Sequence, residues 1–273
     1  MMETLRHRSP RILVAGSHDK IIQSILDFDF ASGKEAPSVI ACISAGRKSL
    51  KLFWGDSEIL LPVVASIDDE SLHDAAPDFL LNITSARGAK ASLEKFFARF
   101  PTALGAHIFA ENVAERDALS LITSYGQSSG TPRLIAGPSG VGLCIPGILK
   151  LGAIGGVSGE RLAQLGTTRG EVAIVCSSGG MVNELMYQVV AGGAGVSFAV
   201  AYGGDRFPIT SPLEWLQEAE LDPATKATVY FGELGGQDEY DLIAAIKRQE
   251  LTKPIYAYIA GRYVSTGTPI QFG

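Results

Sequence analysis

The chain has 273 residues, 46% hydrophobic and 19% charged, with a formal net charge of −6. That length holds two ordinary domains or one large one, and the apolar share is enough for a sizeable core. The acidic balance argues against a nucleic-acid surface, and no apolar run reaches the roughly 18–20 residues that span a bilayer. The N-terminus has no signal-peptide pattern. The three cysteines, Cys42, Cys144 and Cys176, are scattered without metal-ligand spacing, which suits a reduced, cytoplasmic chain with no metal site.

In chain order, Arg11–Ala15 reads as a buried strand and Ile21–Asp27 as a short helix. Ser38–Ile43 is a second strand. Ile59–Val64 carries Pro62, which makes it an edge strand or a loop. Asp68–Ala75 has a helical pattern, Asp78–Ile83 is a strand, and Gly88–Phe100 is an amphipathic helix. Ala106–Phe109 and the helix Val113–Tyr125 follow. The polar stretch Gln127–Thr131 breaks the alternation, and Arg133–Ala136 leads into the glycine-rich Gly137–Gly142. A domain boundary falls near residue 134. The second half repeats the alternation with strands at Glu171–Cys176, Ser197–Ala201, Thr228–Phe231 and Pro254–Ile259. Its helices lie at Met181–Val190, Pro212–Ala219 and Asp238–Arg248. Such alternation predicts α/β units with mostly parallel sheets covered on both faces.

Chemistry-bearing residues cluster where strands end. After Cys176 come Ser177, Ser178, Gly179 and Gly180, then a long helix. A helix start beyond the carboxyl end of a strand offers free N–H groups to an anion; the same residues also make a plain N-cap. Glu111 and Glu233 follow strands at matching places in the two halves. A carboxylate there can orient a histidine and stabilise its charge, or sit as a solvated loop residue. Asn82–Gly88 brings hydroxyls and Arg87 to a helix start, and Arg47 and Lys48 add positive charge after the second strand. These suit a phosphate group or simple capping. Gly137–Gly142 lacks the order of a dinucleotide fingerprint, and the first strand-to-helix turn is glycine-poor, so a nicotinamide site is disfavoured. His107, inside a strand, reads as a packed core histidine, and Cys176 as a small buried residue.

In their order along the chain, these segments resemble one family. ILDFDFASGKEAPSV and KLFWGDSEILLPV open the match. FAENV, RLIAGPSGVG and CIPGILKLGAIGG follow, then SSGGMVNEL, YGGDRFP, FGELGGQDEY and the closing IQFG. Together they are similar to the CoA-ligase region of the ATP-citrate lyase family, related to the succinyl-CoA synthetase α subunit. The resemblance implies a Rossmann-like CoA-binding domain at 1–134 and a flavodoxin-like, succinyl-CoA synthetase-like parallel α/β domain at 135–273. It implies formation of citryl-CoA from citrate, CoA and ATP through phosphohistidine and citryl phosphate, leading to acetyl-CoA and oxaloacetate.

Residue by residue, Ser85 and Arg87 match the family's CoA-contacting S-x-R element, with Arg47 and Lys48 beside it. Ser178, Gly179 and Gly180 match the helix start that holds citrate and the phosphoryl group. Glu111 and Glu233 match the glutamates that position the histidine. Ser177 stands where the family commonly has arginine. The family's Gln-Phe-Gly runs into His-Ala-Gly, whose histidine is phosphorylated, whereas this sequence closes on Gln271-Phe272-Gly273. The resemblance therefore implies a piece of a longer enzyme, inactive alone, with ATP and Mg2+ on a partner ATP-grasp (β-type) subunit or domain, a citrate-synthase-like module elsewhere, and an oligomeric parent. The competing expectations are a citryl-CoA or succinyl-CoA synthetase α subunit and a non-catalytic CoA-binding scaffold.

Overall fold

The computed structural model describes residues 1–156, 169–233 and 237–261, together with Leu162 and Gln164. The expected Leu234-Gly235-Gly236 turn and the closing Gln271-Phe272-Gly273 element lie outside the described residues. Strand β1 (Ile12–Ala15) is buried at every position, as expected of a central strand covered on both faces. Helix α2 (Asp19–Ala31) follows. His18 caps it, its ring nitrogen accepting from the Ile21 N–H at 3.4 Å, and Ile21, Ile22, Ile25, Leu26 and Phe28 form its buried face.

The first sheet adds β2 (Val39–Ile43), β3 (Ser49–Trp54), β4 (Ser57–Val64), β5 (Phe79–Asn82), β6 (Gly105–Ile108) and β7 (Leu134–Ala136). Their order is β3-β4-β2-β1-β5-β6-β7. Helices α3 (Ala86–Arg99) and α4 (Glu115–Tyr125) connect its later strands.

Two expectations are corrected here. Ile59–Val64 is neither edge strand nor loop: β4 lies between β2 and β3, pairing antiparallel with β3 from Ser49–Pro62 to Trp54–Ser57. Period-2 burial of Leu50 and Leu52 makes β3 a true strand, and it takes the edge instead. Asp68–Ala75 is not a helix; it holds only a 3-10 turn at Glu70–Leu72. The Asp69 carboxylate accepts from both the Ser71 N–H and hydroxyl, side-chain bonds of the kind that compete with helix propagation.

The second sheet has order β13-β12-β10-β11-β8-β9. The parallel strands are β10 (Arg169–Cys176), β11 (Val196–Ala201), β12 (Ala227–Glu233) and β13 (Ile255–Ala260). An antiparallel hairpin, β8 (Gly142–Ile145) and β9 (Leu149–Gly152), completes it. Helices α5 (Gly179–Ala191), α6 (Pro212–Leu221) and α7 (Asp238–Lys247) link the parallel strands. The α/β class and the mostly parallel sheets are as the sequence predicts. The chain changes sheet between Ala136 and Gly142.

The two sheets are tied together by α2. The Lys150 ammonium of β9 is fully buried and donates to the Ser24 hydroxyl and the Gly152 carbonyl, both at 2.8 Å. In the reverse direction Lys34 pairs with Asp29 at 2.5 Å and donates to the Ile148 carbonyl at 2.7 Å. A short helix α1 (Met2–Arg6), unforeseen in the sequence, packs on the second sheet's side. Its Arg6 forks onto the buried Asp222 carboxylate at 2.6 Å and 3.2 Å.

Candidate functional site at the carboxyl edges of the two sheets

Connections leave β1 toward β2 on one side, while β5 flanks it on the other. That reversal opens a crevice beyond the carboxyl ends of β1 and β5. Gly16 forms one wall with φ +99°, and a Cβ there would lie 3.0 Å from the Ile83 side chain and 3.1 Å from its carbonyl oxygen. The opposite wall is the turn into α3. Buried Asn82 shapes it: its carbonyl oxygen accepts from the Thr84 N–H and hydroxyl, and its amide donates to the Ala89 carbonyl at 2.9 Å.

Ser85 sits at the N-cap of α3 without a capping bond, so its hydroxyl is available, and Arg87 is exposed in the first turn. Arg87 has no ion pair among the described residues. Arg47 and Lys48 are exposed after β2, with Arg47 in a long 3.4 Å contact to Asp19. A hydroxyl and exposed guanidinium groups at these strand and helix ends have the chemistry that suits a phosphate-bearing ligand. Glu111 is exposed in the loop after β6 and is not part of α4, which starts four residues later.

In the second sheet, β10 ends at Cys176, whose thiol burial pushes up to about 12; it is inert, as read from the sequence. Ser178 caps α5, its hydroxyl accepting from the Met181 N–H at 3.4 Å. Gly180 has open space where a side chain would be, and a Cβ on Gly179 would lie 2.7 Å from Val141. Ser178 thus acts as the cap of α5, and the first turn has open space at Gly180. Asn183 braces this turn, accepting from the Gly155 N–H at 2.7 Å and donating to the Gly179 carbonyl at 3.4 Å. Glu233, half-buried at the end of β12, accepts a hydrogen bond from the Ser177 hydroxyl at 3.1 Å.

The glycine-rich turn 137–142 joins the two edges. Its Ser139 N–H donates to the carbonyl of Ala110, next to Glu111, at 2.9 Å. Its Val141 abuts Gly179. It is held from beneath by His107, whose ring donates through Nε2 to the Gly140 carbonyl at 2.8 Å. Burial drives His107 down to about 4, keeping it neutral. The core role expected for His107 is correct. What the sequence did not reveal is that its ring rests on the paired glycines 142 and 152, where a Cβ would come within 3.2 Å and 2.6 Å of it. The available signal was the glycine pair flanking a hairpin. Asn82 and Asn183 were visible only as members of motifs. Among the described residues no group of three or more His, Cys, Asp or Glu is placed to hold a metal ion. No helix among them is long and apolar enough to cross a membrane.

Comparison with known proteins bears on this arrangement. A CoA-ligase family model matches residues 175–269. Over 97% of its length the chain is 38% identical to the probable ATP-citrate synthase subunit 1 of Schizosaccharomyces pombe. Over nearly its whole length this chain is similar to part of ATP-citrate synthase. It covers 43% of the fission-yeast relative, and 24% of the human ATP-citrate synthase, to which it is 34% identical over 275 aligned residues. Among solved structures, ATP citrate lyase from Methanosaeta concilii in complex with (3S)-citryl-CoA matches with TM-score 0.88 and 31% identity, across 97% of this chain and 43% of that one. A dinucleotide-forming acetyl-coenzyme A synthetase from Ca. Korarchaeum cryptofilum shares the fold alone, at TM-score 0.64 and 17% identity.

Proposed function

We propose that this chain is the CoA-ligase portion of an ATP-citrate lyase, with a CoA-binding unit at 1–134 and a phosphoryl- and citrate-handling unit at 135–273. The observation that carries the proposal is the joining of two carboxyl-edge sites through one turn, in a fold that superposes on a citryl-CoA-bound lyase. CoA, when bound, supplies the thiol that takes up the acyl group.

This chain's residues suit that ligand. The Ser85 hydroxyl makes no capping bond, the Gly88 N–H is the one of the first turn that turns back to the Ser85 carbonyl, Arg87 has no competing carboxylate, and Arg47 and Lys48 are exposed after β2, the strand beside β1. On the other edge, the open first turn of α5 at Ser178–Gly180 stabilises negative charge through its N–H groups and dipole. Glu233, and Glu111 across the turn, orient an imidazole and stabilise its positive charge. The reaction they serve runs through phosphohistidine and citryl phosphate to citryl-CoA. In this reading ATP and Mg2+ are held by an ATP-grasp partner, and the chain's own residues supply the CoA crevice and the anion-stabilising helix start.

Calorimetry with CoA tests the first site. The chain binds CoA weakly, and Arg87→Ala lowers the affinity by roughly tenfold, the value of one charge-assisted contact to phosphate. Absence of any heat of binding at millimolar CoA overturns the assignment.

A further inference from the structure

Adjacent serines at the end of β10 have different tasks. Ser178 is the N-cap of α5. Ser177 is not used by the helix. It is 5% exposed, and its backbone is pinned because its N–H donates to the Phe231 carbonyl of β12 at 3.0 Å. The residues on either side are fixed as well: the Tyr202 N–H donates to the Cys176 carbonyl, and the Cys176 thiol contacts the Ser178 carbonyl. The Ser177 hydroxyl therefore points from a preset place, and it donates to Oε1 of Glu233, 56 residues away in sequence, at 3.1 Å. Among the described residues the Glu233 side chain has no ion pair and no other hydrogen-bond partner.

From this geometry we infer that Ser177 is a positioning residue, whose hydroxyl holds one oxygen of Glu233 and leaves the other free to receive an imidazolium. A glutamate side chain has three rotatable torsions, and one anchored oxygen removes most of that freedom before the ligand arrives. A hydroxyl also leaves the carboxylate's charge intact, whereas a cationic side chain at the same place would neutralise it. The free oxygen keeps its attraction for a positively charged ring beside the open helix start at Gly180. The inference rests on the proposal that Glu233 orients a histidine.

The test uses imidazole at pH 6 as the probe, with the Glu233 carboxyl carbon observed by carbon-13 NMR in the 273-residue chain. In the wild type the Glu233 signal moves on imidazole titration, and Glu233→Gln serves as the control for assignment. Ser177→Ala lowers the apparent affinity about fivefold or more and gives a Glu233 side chain averaged over rotamers. Ser177→Thr restores both. If Ser177→Ala matches the wild type in affinity and rotamer order, or if folded Ser177→Thr fails to restore either, the inference is overturned. If imidazole leaves the wild-type Glu233 signal unmoved, the histidine-orienting role of Glu233 falls, and rotamer order in the three chains then decides whether Ser177 holds the carboxylate.

Discussion

At the scale of single residues, glycine and histidine at the joint set the tightest constraint. Gly152 has φ +108°, and a Cβ there would lie 2.5 Å from the Val141 carbonyl oxygen and 2.6 Å from the His107 ring. Gly152→Ala combines backbone strain with a clash that neither backbone nor a buried ring can relieve cheaply. A loss on the order of 3 kcal/mol is expected, read as a lower urea midpoint at unchanged slope. The polar candidates at strand ends could be picked out from the sequence, because free helix starts and the residues after strands are recognisable locally. The bond from Ser177 to Glu233 could not, since parallel strands β10 and β12 bring those residues together only through a crossover.

Among the elements, those with strong apolar runs stood out: β1, β5, β10 and β11, and helices such as α3. The β3–β4 hairpin was masked by Pro62, and β8–β9 by glycines that read as loop. Helix α1 is five residues long, too short to be stable alone. Its existence depends on tertiary contacts. Met2 and Leu5 are fully buried, and Arg6 neutralises Asp222, whose side chain is wholly inaccessible. Burial alone would raise the Asp222 carboxyl, but the hydrogen bonds from Arg6 and Thr225 hold it below the usual range. Arg6→Ala strands that carboxylate without its cation, so a destabilisation of about 3 kcal/mol is expected. Loss of α1 protection from amide exchange, together with the lower denaturation midpoint, checks it. Equal stability of the variant would show that α1 is not an anchor.

Across the whole molecule, the contacts between the sheets carry two buried bases, and these make stability depend on pH. Burial disfavours the charged form of His107 and pushes it down to about 4 from the ordinary 6.5 of a free imidazole. Between those values the unfolded chain binds more protons, so stability rises with pH there and is lost on acidification. From pH 7 to pH 5 this group removes about 2 kcal/mol. Lys150 is lowered from 10.5 to about 8, again by burial first. By the same sign, stability rises as pH climbs from 8 toward 10.5. Urea unfolding of wild type and His107→Gln at pH 7 and pH 5 measures the first effect: the acid loss shrinks in the variant. An equal loss in both would locate the sensitivity elsewhere.

The sequence by itself determined the α/β class, the alternation of strands and helices, most of the buried strands and the strand-end places where polar candidate residues cluster. These follow from local periodicity and from the chemistry of chain ends, which need no knowledge of distant residues. Only the tertiary structure decided which edges meet. The turn 137–142 contacts both Ala110 and Gly179, α2 holds Lys150 of the other sheet, and Ser177 reaches Glu233. Each of these joins residues far apart in the chain, and the geometry of such contacts is set by sheet order and packing, which no local pattern records.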